Sequence, residues 1–165
     1  MKRSLVRIDN RLVHGQILES WVPFLRASRI IVVNDDVTGD LFRESIIRMA
    51  VPKEIELIVQ SVEEFALGQP ADGSDSTDAR HTIILFSGIK DVLRAHRLGV
   101  RFESINVGNV QNSSYKKNMV GSHLRLSDDE IDDLMTLVRL GVSVEIRSVP
   151  RDRPESFENA VQCLR

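Results

Sequence analysis

The chain has 165 residues, of which 42% are hydrophobic and 28% are charged. This length suits one globular domain with a sizeable core, and the composition excludes a disordered or collagen-like chain. With 22 basic against 24 acidic residues and only 5% aromatic residues, the sequence lacks the basic footprint of a nucleic-acid-binding protein. We therefore expect a single domain over residues 1–165 that does not bind nucleic acid.

Cys163 is the single cysteine of the chain. One cysteine excludes an internal disulfide and any multi-cysteine metal site, a usage typical of a reducing compartment. The first residues lack the apolar core of a signal peptide, and no uncharged run is long enough to cross a bilayer. These features predict a cytoplasmic protein.

Apolar runs and amphipathic stretches alternate along the first half of the chain. The apolar runs predict strands at residues 5–8, 30–33 and 55–59. Helical periodicity and capping residues predict helices over residues 15–25, from 38 or 40 to 50, and after Ser61. The resulting order is βαβαβα.

Two of these helices contain or precede a proline. Pro23 removes a backbone donor late in the first helix, and we expect it to kink or loosen the last turn. Pro52 ends the second helix. The buried stripe of that second helix is expected to consist of Phe42, Ile46, Met49 and Ala50.

The second half continues the alternation after a polar segment at residues 68–80, which we expect to be a solvated loop. Strands are predicted at residues 82–86, 104–107 and 142–146, with an edge strand at 122–126 after a loop over 111–121. Helices are predicted over residues 89–99, after the capping box at Ser127, and from near Pro154. In the last helix we expect buried positions at Phe157, Val161, Cys163 and Leu164.

Alternating strands and helices of this kind are typical of one architecture. The pattern predicts an α/β fold with an open, mainly parallel, twisted sheet and helices on both faces. One antiparallel edge strand is expected.

The residues that follow the predicted strands are polar. In open parallel sheets the carboxyl ends of the strands share one edge, where helix N-termini and loops form the ligand crevice. The segments at these strand ends are residues 9–14, 34–36, 87–88 and 106–109. We therefore expect at least some of them to meet on one rim that carries an imidazole, a guanidinium, carboxylates, a hydroxyl and glycines.

Asp9, Arg11 and His14 lie within six residues at the turn from the first strand to the first helix. A neutral imidazole nitrogen can accept a phosphoryl group while an acceptor holds the other ring nitrogen in the correct tautomer. His14 is thus the candidate nucleophile, Asp9 its orienting group, and Arg11 a donor fork for phosphoryl oxygens. The spacing of these residues is equally compatible with a surface histidine beside an ordinary ion pair, which would have no catalytic role.

Neutral donors on the same rim would complete a phosphoryl site. Backbone amides near glycines, a hydroxyl and an amide side chain are suited to bind phosphoryl oxygens. The candidate phosphoryl-binding residues are Gly15, Ser87, Gly88, Asn106 and Gly108.

The sequence has no pattern typical of a metal site or of a nucleotide cofactor site. The histidines at positions 81, 96 and 123 have no metal-ligand spacing with His14 or with each other, so we expect structural roles for them and no metal site. Neither a P-loop nor a G-x-G-x-x-G motif occurs, which argues against an enzyme that uses a nucleotide. No cofactor is predicted.

The segment from Arg7 to Gln16, RIDNRLVHGQ, closely resembles the active-site segment of the IIB component of the mannose/sorbose family of the bacterial sugar phosphotransferase system. The resemblance covers nearly the whole chain. It continues through Trp21, residues 29–35, 50–52, 85–86 and 105–108, and the strand after Gly141.

This resemblance implies a phosphotransferase that carries a phosphoryl group on Nδ1 of His14, with Arg11 helping to bind it and Asp9 beside the site. The phosphoryl group would come from a phosphohistidine of a separate IIA protein. It would pass to a sugar held by the membrane subunits IIC and IID, with which the protein would associate peripherally. Members of this family are often dimeric, so a homodimer is a further expectation. Asn10 stands where many members have a second aspartate, so a negative charge near the incoming phosphoryl group is missing. Asn109 stands where a second glycine is common, which affects the expected shape of the phosphate pocket.

Three functions are compatible with such a site. The first is the sugar phosphocarrier. The second is a regulatory phosphoprotein of the same fold that binds another protein in one phosphorylation state and takes no part in transport. The third is a small hydrolase or phosphatase that uses His14 as nucleophile and Asp9 or Asp35 as acid or base.

Overall fold

The computed structural model describes residues 4–69, 81–110 and 118–164. Its strands are β1 (Ser4–Asp9), β2 (Arg29–Val33), β3 (Glu56–Gln60), β4 (Thr82–Phe86), β5 (Ser104–Asn109), β6 (Asn118–Val120), β7 (Leu124–Leu126), β8 (Ser143–Ile146) and β9 (Glu155–Ser156). Its helices are a π-helical segment (Ile17–Trp21) continued by α1 (Val22–Leu25), then α2 (Asp35–Thr38), α3 (Leu41–Ala50), α4 (Val62–Leu67), α5 (Ile89–Arg97), α6 (Asp128–Arg139) and α7 (Phe157–Gln162). None of the helices in these ranges has the length and apolar character needed to span a membrane.

Seven strands form one sheet in the order β3-β2-β4-β1-β5-β8-β9. All neighbouring pairs are parallel except β8 and β9, which are antiparallel. The predicted α/β fold with an antiparallel edge strand is therefore confirmed. That edge strand is Glu155–Ser156. The edge strand predicted at residues 122–126 is therefore wrong in its position: Leu124–Leu126 pairs with its neighbour in sequence, Asn118–Val120, in a separate two-stranded sheet.

The sheet buries apolar side chains on both of its faces. One layer gathers Phe65, Phe86, Leu134 and Phe157 with the helices α4 to α7. The other layer is built around Trp21 and includes residues of the first helix and of α2. The central strands are apolar on both faces because helices cover both of them, as in other parallel sheets.

The carboxyl end of β1 lies at a topological switch point. The chain leaves β1 towards β2 and β3 on one side of the sheet, whereas β5, the other neighbour of β1, leads to β8 on the opposite side. Connections that diverge in this way open a crevice at the strand ends, and ligands of open α/β sheets bind there. The residues after β1 are therefore at the position where this fold places ligands.

Capping and turn residues set the helix ends much as the sequence predicts. Ser61 and Ser127 each form a capping box with the glutamate three residues later. Gly99 and Gly141, after α5 and α6, have φ values of +104° and +90°. Glycine adopts this left-handed conformation without a steric penalty, which explains why the helices end there.

The first helix is less regular than predicted. The N–H of Val22 donates to the carbonyl of Ile17, five residues earlier, so the helix is widened over Ile17–Trp21. Pro23 follows this widened turn, and the last turn is regular α-helix. The irregularity therefore precedes Pro23, and the predicted loosening of the last turn is wrong.

The predicted buried stripe of the second helix is wrong. In α3, Phe42, Ile46 and Met49 are 74%, 51% and 87% exposed, and Ala50 is exposed as well. The helix faces the sheet through Ile47, which is partly buried against the layer around Trp21. The helical period identifies the apolar stripe correctly, but in this chain the stripe faces away from the core.

The last helix is also packed differently from the prediction. Phe157 is fully buried and begins α7, but Val161 is only partly buried and Leu164 is 41% exposed. Cys163 is exposed and takes no part in the packing. Residues 118–120 form a strand within the predicted loop at 111–121. Residues 111–117 of that loop lie outside the described residues, as do residues 70–80 of the predicted loop at 68–80.

Candidate functional site

The site is built on the turn that follows β1. Asp9 is the last residue of the strand, and its carbonyl accepts a hydrogen bond of 2.9 Å from the N–H of Leu12. Leu12 has a φ of +55°, a conformation that residues other than Gly, Asn and Asp seldom adopt. This tight turn brings Arg11 and His14 back over the end of the strand that carries Asp9.

The carboxylate of Asp9 is fully buried and contacts three basic side chains. Its Oδ2 lies 2.9 Å from Nη2 of Arg7 and 3.1 Å from Nε2 of His14, and its Oδ1 lies 3.2 Å from Nε of Arg11. Burial raises the pKa of Asp9, but the hydrogen bond with His14, the charge of Arg7 and the hydrogen bond from Arg11 together outweigh it and lower the pKa to about 2. Asp9 is therefore ionised at neutral pH.

The two ring nitrogens of His14 have different surroundings. Nε2 faces the carboxylate of Asp9, which accepts and does not donate, so Nε2 carries the proton. Nδ1 then holds a lone pair, and its contact is a 3.3 Å hydrogen bond from the N–H of Gln16. The side chain is 16% exposed. A neutral imidazole held in this tautomer presents Nδ1 as a nucleophile.

Arg11 lies at the solvent edge of the same turn. Its backbone N–H and its Nε both donate to Oδ1 of Asp9, at 3.2 Å each, and its Nη2 donates to the side chain of Gln16 at 2.9 Å. The side chain is 45% exposed, so part of the guanidinium fork remains directed to solvent near His14. An anion arriving at His14 would meet this fork.

Arg7 is the functional residue that the sequence prediction missed. Its guanidinium is fully buried and donates to Asp9, to the amide oxygen of Asn106 and to the carbonyls of Arg147 and Ser148, the last two at 2.9 and 3.0 Å. It also lies 5.2 Å from the ring centroid of Trp21. The signal is in the sequence: residues 7 and 9 share one face of a buried strand, where an arginine and an aspartate are tolerated only as a pair.

Burial lowers the pKa of Arg7, and the neighbouring charge and hydrogen bond of Asp9 oppose that effect. An arginine remains charged under such conditions because its pKa in water is so high. The buried pair is thus ionic, and Arg7 fixes the carboxylate that in turn orients His14.

Gly108 and Asn106, on the neighbouring strand β5, lie against Arg7. A Cβ atom at Gly108 would overlap the guanidinium of Arg7, so the glycine leaves the space that this side chain occupies. The amide of Asn106 accepts from Arg7 and donates to Glu145 at 3.0 Å. Both residues thus support the pair of Arg7 and Asp9, and their predicted contact with a phosphoryl group stays a prediction.

Ser87 and Gly88, at the end of β4, belong to a different group of contacts. The hydroxyl of Ser87 accepts a 2.6 Å hydrogen bond from the amide of Asn34 and donates to the carboxylate of Asp91 at 3.3 Å. Burial raises the pKa of Asp91, and the hydrogen bond from Ser87 opposes this. Gly88 caps α5 and has open space around it. These contacts do not connect Ser87 with Asp9, and the phosphoryl contact predicted for both residues stays a prediction.

The structure therefore brings together Asp9, Arg11 and His14, as the sequence predicts, and adds Arg7 beneath them. Gly15, the fourth predicted residue of this loop, begins the helical stretch directly after His14. The N-terminus of a helix presents free N–H groups and a partial positive charge, which favour an anion at this point.

Comparison with known families gives one match that spans the chain. Residues 3–164 match the family described as the sorbose subfamily IIB component of the PTS system. A curated relative, the fructose-specific EIIB component of Bacillus subtilis (strain 168), is 32% identical over 165 residues, which is 100% of this chain and 97% of that protein.

Two further matches extend the comparison. The crystal structure of the IIBSor domain of the sorbose permease from Klebsiella pneumoniae superposes with a TM-score of 0.82 at 30% identity, covering 98% of this chain and 96% of that one. The mannose-specific EIIAB component of Escherichia coli (strain K12) is 29% identical over 149 residues, which is 90% of this chain but 45% of that longer protein. The fold of that sorbose permease domain is thus shared along 98% of this chain.

Proposed function

Because the chain belongs to the sorbose subfamily of IIB components of the sugar phosphotransferase system, a group of phosphotransferases, we propose that it carries a phosphoryl group on Nδ1 of His14. The proposal rests on one observation above all. Nε2 of His14 is held 3.1 Å from the buried carboxylate of Asp9, which leaves the Nδ1 lone pair for the phosphoryl group.

The phosphoryl group would arrive from a phosphohistidine of a IIA protein. The lone pair on Nδ1 of His14 attacks the phosphorus, a new N–P bond forms, and the N–P bond of the donor breaks with its electron pair returning to the donor nitrogen. Positive charge develops on the ring of His14 during this step. The ionised Asp9, hydrogen-bonded to Nε2, stabilises that charge.

In the transfer to the sugar, phosphorylated His14 is the phosphoryl donor. A sugar hydroxyl attacks the phosphorus and releases its proton to solvent or to a base beside the bound sugar, the O–P bond forms, and the N–P bond breaks with its electron pair returning to Nδ1. His14 regains the neutral tautomer that Asp9 favours. The protein is thus ready for another cycle without any change at the buried pair of Arg7 and Asp9.

Arg11 and the start of the helix would bind the phosphoryl oxygens. The exposed part of the Arg11 fork lies beside His14, and the N–H of Gln16, which now contacts Nδ1, would donate to a phosphoryl oxygen once that nitrogen is occupied. Gly15 allows close approach of an oxygen to the backbone because it has no side chain. These donors stabilise the equatorial oxygens in the transition state for both transfers.

The partners follow from the family. The name of the mannose-specific EIIAB relative combines IIA and IIB in a single component. This supports a IIA protein as the phosphoryl donor of this chain. We propose that the acceptor is a sugar bound by the membrane subunits IIC and IID, and that the protein works at the cytoplasmic surface of those subunits. The sugar would contact this chain only through the phosphoryl group.

Phosphoryl uptake tests the proposal. Phosphoenolpyruvate, the general phosphotransferase proteins and a IIA donor are mixed with the wild type, with His14→Ala and with His96→Ala. His96 lies on α5, away from the turn after β1, and serves as the matched histidine control. We expect one acid-labile phosphoryl group on the wild type and on His96→Ala, and none on His14→Ala. Equal labelling of His14→Ala would contradict the proposal.

A second assay separates the carrier from a regulatory phosphoprotein. The labelled protein is added to membrane vesicles that contain the IIC and IID subunits and a sugar. A carrier loses its label to the sugar, whereas a regulatory phosphoprotein keeps it. Loss of the label to water without vesicles would instead indicate a hydrolase.

A further inference from the structure

The backbone carbonyl of Ser148 holds two buried side chains near the site. It accepts a 3.0 Å hydrogen bond from Nη2 of Arg7 and a 3.1 Å hydrogen bond from Nε1 of Trp21. Arg7 is fully buried and Trp21 is 2% exposed, so solvent cannot replace this partner for either donor. Both lone pairs of the carbonyl oxygen are used, and its position therefore fixes the two side chains together.

These two side chains flank His14 in the chain. Arg7 lies on β1, before the turn that carries His14, and contacts Asp9, the carboxylate that orients the imidazole. Trp21 ends the π-helical segment that follows the same turn. The carbonyl of Ser148 thus connects the strand before the turn with the helix after it, and a shift of this carbonyl would disturb His14 from both sides.

Ser148 itself lies outside the regular strands. The paired register of β8 with β5 ends at Ile146, and Ser148 follows two residues later. The chain then turns over residues 149–152, where the N–H of Asp152 donates a 3.0 Å hydrogen bond to the carbonyl of Val149. A residue in such a connection depends on side-chain contacts for its position, because the strand ladder no longer fixes it.

His123, in the turn between β6 and β7, supplies such a contact. Its Nε2 lies 2.9 Å from the hydroxyl oxygen of Ser148 and 3.3 Å from the carbonyl oxygen of Gly108 on β5. A carbonyl oxygen only accepts, so Nε2 carries the proton and donates to both oxygens. The hydroxyl of Ser122 lies 3.2 Å from Nδ1 and donates to the lone pair of the neutral ring. The imidazole is therefore fixed at both nitrogens.

The two backbone segments that His123 connects form the pocket of Arg7. The carbonyl of Ser148 accepts from the guanidinium, and Gly108 lies so close to it that a Cβ atom would overlap it. The turn that carries His123 is itself held to β9, because a backbone N–H of the turn donates a 3.3 Å hydrogen bond to the carboxylate of Glu155. His123 thus joins the walls of the pocket from a fixed position.

We propose that His123 is a positioning residue for phosphoryl transfer, an inference that rests on the proposed phosphocarrier function. It holds the pocket of Arg7, and through Arg7 it holds the carboxylate of Asp9. Asp9 in turn sets the orientation of His14. The imidazole of His123 is exposed at the surface and acts through these contacts without touching the phosphoryl group. This is more than the structural role that the spacing of the histidines predicts.

Phosphoryl uptake from a IIA donor measures the effect on the reaction. His123→Ala should take up phosphoryl about 10-fold more slowly than the wild type, less than the roughly 10²-fold cost of misplacing a reacting group by 1 Å. The half-saturating concentration of the donor should not change, because a positioning residue does not bind the donor. Arg125→Ala removes an exposed side chain of β7, in the same hairpin, and should keep both values of the wild type.

Two amide variants distinguish positioning from a general need for a polar side chain. In His123→Gln the amide N–H lies at about the place of the imidazole Nε2, so it can donate to the same two oxygens. In His123→Asn the shorter side chain places its N–H near the former Nδ1, away from those oxygens. We expect His123→Gln to recover most of the lost rate and His123→Asn to recover little. Equal rates in these two variants would overturn the proposal.

Nuclear magnetic resonance of the unphosphorylated protein measures the positioning itself. Trp21 is the single tryptophan of the chain, so its indole N–H signal reports the hydrogen bond to the carbonyl of Ser148. The proton on Nε2 of His14 reports the contact with the buried carboxylate. In His123→Ala we expect both protons to exchange faster with water than in the wild type. Arg125→Ala should leave both exchange rates unchanged.

The two measurements separate a failure of this proposal from a failure of the phosphocarrier function. A wild type that takes up no phosphoryl group contradicts that function, and the exchange rates at Trp21 and His14 then decide whether His123 positions them. A wild-type rate of uptake in His123→Ala, or unchanged exchange at both protons, overturns the proposal. So does a higher half-saturating donor concentration at an unchanged maximal rate, because His123 would then be a docking residue. Circular dichroism of each variant checks that it folds.

Discussion

Nε2 of His14 lies 3.1 Å from Oδ2 of Asp9, and the carboxylate of Asp9 has no exposed surface. A buried carboxylate that remains ionised needs strong partners. Arg7 beneath it and Arg11 beside it supply them, each as a direct contact. The buried charge of Asp9, at the end of β1, thus sets both the tautomer and the orientation of His14.

The low pKa of Asp9 makes stability depend on pH. Its pKa is about 2 in the folded chain against an ordinary value of 3.8, so the unfolded state binds a proton first as the pH falls. The stabilisation is therefore complete above the unfolded pKa and is lost as the pH falls through the folded pKa. We expect it to contribute about 2 kcal/mol to the free energy of unfolding.

Asp9→Asn tests this dependence. Denaturant titrations of the wild type and Asp9→Asn between neutral pH and pH of about 2 give the free energy of unfolding of each. The difference between the two proteins should shrink below a pH of about 4, because the wild type then loses the contribution of Asp9. A difference that stays constant over this range would mean that Asp9 titrates normally in the folded chain.

Arg7→Met removes one partner of a buried ion pair. The carboxylate of Asp9 is then left buried beside His14 with less compensation, and we expect a loss of about 3–5 kcal/mol in the free energy of unfolding. Adding Asp9→Leu to Arg7→Met should recover part of that loss, since no uncompensated charge remains. A double variant less stable than Arg7→Met would show that the pair does not act as a unit.

Gly108 and Gly88 differ in the space around them. An alanine at Gly108 collides with the guanidinium of Arg7, whereas Gly88 has no atom within 4 Å of a Cβ position. We expect Gly108→Ala to lower the free energy of unfolding by about 1–3 kcal/mol, and Gly88→Ala, at the N-cap of α5, to lower it by less than about 1 kcal/mol. Thermal melts of both variants measure this. Equal losses of stability in the two variants would show that the side chain of Arg7 shifts away from Gly108→Ala with little loss in the free energy of unfolding.

Arg11 should act on the rate of phosphoryl transfer. Loss of a donor that binds the oxygens in the transition state typically lowers the rate about 10²–10³-fold. We expect a loss of this size in the rate at which Arg11→Ala takes up phosphoryl from a IIA donor, and a smaller loss for Arg11→Lys, which keeps the charge without the fork. Rapid-quench labelling measures the rates, and an unchanged rate in Arg11→Ala would remove Arg11 from the mechanism.

The sequence predicted most of the fold because local signals determine it. The β-branched run at residues 30–33 forms a buried strand, and the capping boxes at Ser61 and Ser127 begin helices as predicted. Asp9, Arg11 and His14 were identified from their short spacing in one turn, and the structure places them in contact.

Other features depend on which strands become neighbours, and no local signal carries that information. Asn106 and Gly108 lie about a hundred residues from Arg7, so their contact with its guanidinium follows only from the pairing of β1 with β5. The stripe of α3 was identified as apolar, but the period of a helix does not say whether its own domain or another molecule covers it. Phe42 and Met49 have the spacing of a core face, but both are exposed in this chain.

The position of the phosphoryl group on His14 tests the central claim most directly. Nitrogen-15 and phosphorus-31 NMR of the phosphorylated protein, with labelled histidine, identify the ring nitrogen bonded to phosphorus. We predict phosphorylation of Nδ1, with a proton retained on Nε2 and hydrogen-bonded to Asp9. A phosphoryl group on Nε2 would contradict this prediction, because Asp9 would then occupy the face from which the group must arrive.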